Sequence, residues 1–206
     1  MTPLHHAVDC GSGAVVRLLL NGGADPKAKG RFGETPLHFV ARPDSEPVVR
    51  LLLERGVDPK AVDKRGMTPL HYAIRRGLAS TVQRGSDSNC CSSPVEEFFE
   101  ARQVVELGLR SVLKLLLDHG ADPRARSSTG HTPLHYATLA NSHIIVELLL
   151  GYGVHPDDIE SDCMTPLHGA VQCGFDSMVR RLLDHGADPR AANKSCLLYT
   201  SPSPRD

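Results

Sequence analysis

TPLHHAVDCGSGAVVRLLLNGGADP, residues 2–26, contains the marks that decide the fold. Thr2 before Pro3 is a helix start, because the hydroxyl caps free backbone N–H groups and proline suits the first helical position. Leu4, Ala7 and Val8 then fall on one helical stripe, and Gly11 marks its end. Val15-Val16-Arg17-Leu18-Leu19-Leu20 reads as a second, more apolar helix, closed by the left-handed residue that Gly23 supplies. Helices this short are unstable alone in water and must bury their stripes against neighbours.

The neighbours are copies of the same stretch. TPLH begins at Thr2, Thr35, Thr68, Thr132 and Thr165, at intervals of 33, 33, 64 and 33 residues. A second mark, Gly-Ala/Val-Asp/His-Pro, begins at Gly23, Gly56, Gly120, Gly153 and Gly186, at intervals of 33, 64, 33 and 33 residues. The apolar helix recurs as VVRLLL at 48–53 and IVELLL at 145–150, and the first-helix stripe as Leu70, Ala73, Ile74 and Leu167, Ala170, Val171. Gly77 and Gly174 are the expected counterparts of Gly11. Two independent marks on one period indicate a stacked repeat array.

These motifs resemble the ankyrin repeat over roughly residues 1–195. The resemblance implies an all-α solenoid of stacked helix-turn-helix units with projecting finger loops. It also implies protein partners gripped by the fingers and the concave face of the first helices. It assigns the histidines of TPLH (His5, His38, His71, His135 and His168) a structural role, hydrogen-bonding the loop and the threonine at the helix start. The finger glycine two residues before TPLH is Gly33, Gly66 and Gly130, but Cys163 stands in the last unit, where backbone strain is expected. The residue after the GADP mark is Lys27, Lys60, Arg124, Asp157 or Arg190 and never asparagine, so the family's asparagine hydroxylation is not expected there.

The 64-residue interval admits two readings. In the favoured one, FEARQVVELGLRSVLKLLLDHGADP (99–123) is a sixth, degenerate unit. Its first helix starts near Phe99, slightly early because of the capping box Ser93-Pro94-Val95-Glu96, and ends at Gly108. Units then start near 2, 35, 68, 99, 132 and 165. The alternative is five repeats with an insertion of 31 residues between the helices of the third. Either way residues 85–93, with GSDSNCCSSP around them, read as the least ordered internal stretch. At the ends, Met1 occupies the place of Met67 and Met164 with no finger before it, which fits an internal methionine as well as an initiator. CLLYTSPSPRD (196–206) breaks the repeat and resembles an in-frame translated sequencing-library adapter, so it is read as a non-native tail outside the 1–195 array.

Composition narrows the function. A net charge of −1 and 4% aromatic residues supply neither a basic field nor a stacking surface for nucleic acid, and no apolar run reaches membrane-span length. The six cysteines form no CxxC pair and read as free thiols, which points to a cytoplasmic or nuclear location. His131 and His135 have helical spacing, but Pro133 lies between them and two ligands do not make a zinc site. Asp157-Asp158 lacks a companion base, and no GxGxxG, P-loop or GxSxG occurs. The expectation is therefore a non-enzyme without cofactor or metal that binds a protein, as a scaffold or adaptor or as the targeting region of a larger enzyme or channel. Recognition is expected at the finger tips, which share no packing pattern: basic at Lys29-Gly30-Arg31-Phe32, Asp63-Lys64-Arg65 and Arg126-Ser127-Ser128-Thr129, acidic at Ile159-Glu160-Ser161-Asp162. The candidate contacts are Arg31, Phe32, Lys64, Arg65, Arg126, Ile159 and Glu160.

Overall fold

A computed structural model describes residues 1–82, 95–160 and 163–192, apart from the side chains of 79–82 and 95–102. The expected regions 85–93 and 196–206, with Cys90, Cys91 and Cys196, lie outside the described residues. Among those residues there are helices and no strand. In chain order they are α1 (Pro3–Asp9), α2 (Gly13–Asn21), a 3-10 helix (Pro36–Phe39), α3 (Glu46–Glu54), α4 (Pro69–Val82), α5 (Val95–Asp118), α6 (Pro133–Leu139), α7 (His143–Gly151), α8 (Pro166–Gln172) and α9 (Asp176–Asp184). One layer runs α1, 3-10 helix, α4, α6, α8, each packed on the next, and a second runs α2, α3, α5, α7. Each helix of the first layer also packs on the one that follows it in sequence, and α9 completes the last pair. A single apolar core runs through the array from Leu4 to Ala187.

Local chemistry sets each unit. Threonine and histidine of TPLH form a capping box in which the imidazole takes the place of the usual glutamate and accepts the threonine N–H. The second helices close on glycines 23, 56, 120, 153 and 186, all with positive φ. The amide after each glycine bonds back to a carbonyl five residues earlier, Ala24 N to Leu19 O at 3.0 Å and Ala121 N to Leu116 O at 2.9 Å. That repeated leucine is wholly buried at Leu52, Leu116, Leu149 and Leu182. Leu19, its counterpart in the unit of Thr2, is only partly buried.

The structure corrects three readings. A degenerate unit starting near Phe99 does not form: α5 is one helix from Val95 to Asp118 that passes through Gly108. Leu109, Val112, Leu113 and Leu116 make a single buried stripe on it, and the helix packs on α4, α3 and α7 as the second helix of the third unit. The Thr68 and Thr132 units are direct neighbours, because His71 Nε2 bonds His131 O at 3.2 Å. Second, Gly77 does not end α4, which runs on to Val82. Gly77 and Gly108 serve close approach instead. A Cβ at Gly77 would lie 2.8 Å from Leu109 Cδ2, and one at Gly108 would lie 2.3 Å from Pro43 Cβ. Third, the first helix of the second unit is only the 3-10 turn. Cys10 N bonds His6 O in the first unit, and the matching position is Pro43, which has no N–H to donate.

Candidate interaction surface

Each finger is a short turn pinned at its base by the preceding unit. Gly30 N bonds Glu34 O at 2.7 Å, Asp63 N bonds Met67 O at 3.0 Å, Ser127 N bonds His131 O at 3.0 Å and Glu160 N bonds Met164 O at 3.0 Å. The Nε2 atoms of His5, His38, His71 and His135 reach Glu34 O, Met67 O, His131 O and Met164 O at 3.1–3.2 Å. Since Nδ1 accepts the threonine N–H, Nε2 carries the proton and donates to these carbonyls. Burial, the largest influence, holds all four imidazoles below their usual pKa, with His71 and His135 lowered to about 4. They are neutral structural ties between units. The strain expected at Cys163 is present: its φ is +58°, where Gly33, Gly66 and Gly130 stand at +88°, +68° and +80°.

Adjacent fingers are also tied to one another. Lys64 N bonds Phe32 O at 2.8 Å, and Ser128 N bonds Arg65 O at 2.7 Å. This register brings Arg31, Phe32, Lys64 and Arg65 into one cluster. The guanidinium of Arg31 lies 5.7 Å from the centre of the Phe32 ring and that of Arg65 lies 5.5 Å from it. Lys64 Nζ donates to Arg31 O at 3.1 Å. Phe32 keeps 43% of its surface exposed.

The acids of these two fingers turn inward. Asp63 is buried, accepting Arg65 N and Met67 N at 2.8 Å and the Tyr72 hydroxyl at 2.9 Å. Glu34 is buried and accepts Phe32 N at 3.0 Å.

The remaining candidates stand apart from this cluster. Arg126 donates to Ile159 O at 2.7 Å and approaches Asp158 at 3.9 Å, so its charge is partly spent within the array. Ile159 is exposed. Glu160 is half-buried with its carboxylate 2.7 Å from His131 Nε2, and it does not present an acidic tip. Ser161 and Asp162 lie outside the described residues.

A set of aromatic residues escaped the reading of the sequence. The residue after each TPLH is His6, Phe39, Tyr72, Tyr136 or Gly169. The three aromatics meet the preceding unit's histidine edge-on, at 5.5 Å for Phe39 and His5, 5.2 Å for Tyr72 and His38, and 5.8 Å for Tyr136 and His71. Arg75 stacks over Tyr72 at 5.4 Å and Arg76 over Phe39 at 5.4 Å. The i, i+3 spacing of Tyr72 and Arg75 is the signal that would have found the first pair.

Among the described residues, no three of His, Cys, Asp and Glu are grouped to hold a metal ion, and no helix is long and apolar enough to cross a membrane. No curated protein matches the chain. A family model described as "Ankyrin repeats (3 copies)" matches residues 4–84 and 102–193, leaving out the stretch that enters α5. With most of its length matched and each TPLH histidine from His5 to His135 tied to the next finger, the chain belongs to the ankyrin-repeat family.

Proposed function

We propose that this chain is a protein-binding scaffold or adaptor module whose recognition surface is the finger cluster Arg31, Phe32, Lys64 and Arg65, with the concave face beside it. Ankyrin repeats are in general protein-interaction modules. The observation that carries the assignment of the surface is Phe32, an exposed aromatic ring flanked by two guanidiniums on loops tied to a rigid array. Aromatic and arginine side chains supply most hot-spot energy in interfaces, and here stacking leaves them little freedom to lose on binding. The bonds between adjacent fingers, Lys64 N to Phe32 O and Ser128 N to Arg65 O, use backbone atoms, and the Lys64 Nζ bond to Arg31 O is exposed, so these side chains are not part of the packed core.

The test compares affinity-tagged parent chain with the variant carrying Arg31→Ala, Phe32→Ala, Lys64→Ala and Arg65→Ala, reading captured proteins by quantitative mass spectrometry. A specific partner should fall at least about tenfold in the variant, as expected for loss of more than 1.4 kcal/mol. A helical spectrum and melting temperature equal to the parent's would show that the fold survives. A partner captured equally by both chains rejects the finger cluster as the surface.

A further inference from the structure

Three features of the first three units point to the chemistry of the partner. Arg31 and Arg65 both stack on the Phe32 ring, and Arg75 stacks on Tyr72. A guanidinium stacked on a ring keeps its N–H edges free, oriented for bidentate contact with a carboxylate. Among the described residues, none of Arg31, Lys64, Arg65 and Arg75 makes an ion pair with an acidic side chain. The acids that could neutralise them, Glu34 and Asp63, are buried and bonded to the fingers' own amides. Glu160, from the finger expected to be acidic, faces His131 instead.

We infer that the surface formed by Arg31, Phe32, Lys64, Arg65 and the Tyr72–Arg75 pair is a receptor for a short acidic protein segment, with carboxylates seated between the stacked guanidiniums and an apolar side chain on Phe32. This rests on the protein-binding reading and adds the class of partner. Two like charges on one ring repel until an anion lies between them, so a carboxylate there is attracted by both. Nucleic acid fits less well. On this surface Phe32 is exposed, whereas its neighbours Phe39 and Tyr72 are 8% and 6% exposed, so bases find no run of stacking platforms there. The net charge of −1 also withholds the long-range field that phosphate backbones need.

The experiment immobilises the full chain and selects from a random library of peptides about 12 residues long, a length that spans several fingers when extended. Four chains are compared. They are the parent, Arg31→Gln/Arg65→Gln, the quadruple alanine variant, and Arg17→Gln/Arg110→Gln as a control that removes two exposed charges from the second-helix layer. The expected outcome is enrichment of Asp and Glu on the parent and the control. The best acidic peptide should bind Arg31→Gln/Arg65→Gln at least about tenfold more weakly, and its affinity for the parent should fall as salt rises.

Three results overturn the inference: no acidic enrichment on the parent, equal enrichment on Arg31→Gln/Arg65→Gln, or displacement of the acidic peptide at lower concentration by oligo-dT or phosphatidylserine vesicles. Peptides lost on the quadruple variant but without acidic bias reject the acidic partner and leave the finger surface standing. Peptides retained equally on the quadruple variant reject both.

Discussion

Replacing His71 by alanine tests the central correction, that the unit of Thr68 stacks directly on the unit of Thr132 despite the long interval. The His71 ring is fully buried. Its Nδ1 accepts Thr68 N at 3.1 Å and meets the Thr68 hydroxyl at 2.9 Å, while Nε2 donates to His131 O at 3.2 Å. His168 offers an internal control. It makes the same cap, with Thr165 N at 3.2 Å and the hydroxyl at 2.9 Å, but it lacks an Nε2 acceptor among the described residues. Loss of the cap costs about 1 kcal/mol in both variants. In His71→Ala the half-buried His131 carbonyl also loses one of its two bonds, keeping the one from Ser127 N, at about 0.5–1.5 kcal/mol. The space left by the ring against Tyr136 adds about 1–2 kcal/mol. The expected costs are therefore about 2.5–4.5 kcal/mol for His71→Ala and about 1 kcal/mol for His168→Ala. Urea unfolding followed at 222 nm measures both, with slope and midpoint compared because repeat arrays unfold through coupling between neighbours. Equal costs would refute the direct contact, and a separate unit between Thr68 and Thr132 would then have to be reconsidered.

Other consequences can be checked in the same way. Leu149→Ala removes a wholly buried side chain and should cost about 2–5 kcal/mol, while Leu19→Ala, at a partly buried position, should cost less; equal shifts in urea midpoint would contradict the assigned packing. Cys163→Gly relieves a left-handed φ of +58° and should stabilise by about 1 kcal/mol, read as a rise in melting temperature. The fold holds His71 and His135 neutral down to about pH 4, whereas unfolded histidine protonates near pH 6.5, so the unfolded chain binds more protons between these values. Stability should be full above pH 6.5 and decline as pH falls toward 4, less steeply in His71→Gln; a urea midpoint unchanged from pH 7.5 to 4.5 would dismiss this linkage. The quadruple finger variant should lose its partner without losing its helical spectrum, and unaltered capture would turn attention to the helical faces.

Much of this protein is local, and local features are legible along a chain. A threonine–proline start, a stripe at helical spacing and a left-handed glycine act within a few residues, so TPLH and GADP determined the period and the helices, and their resemblance to the ankyrin repeat supplied the all-α solenoid and the structural role of the TPLH histidines. Cys163 followed in the same way, because a position that is glycine in three units needs positive φ in the fourth. Contacts between units decided the rest. Gly77 and Gly108 look like helix ends in sequence, yet each sits inside a helix where a neighbour approaches too closely for a Cβ: Leu109 at the first, Pro43 at the second. Helix α5 follows from a stripe that must cover α4 and bridge α3 and α7 at once, a demand set by three-dimensional stacking. The candidate surface divides along the same line. Residue type along the fingers identified Arg31, Phe32, Lys64 and Arg65, but only the register of one finger on the next placed two guanidiniums on one ring, and only the fold turned Glu160 inward to His131.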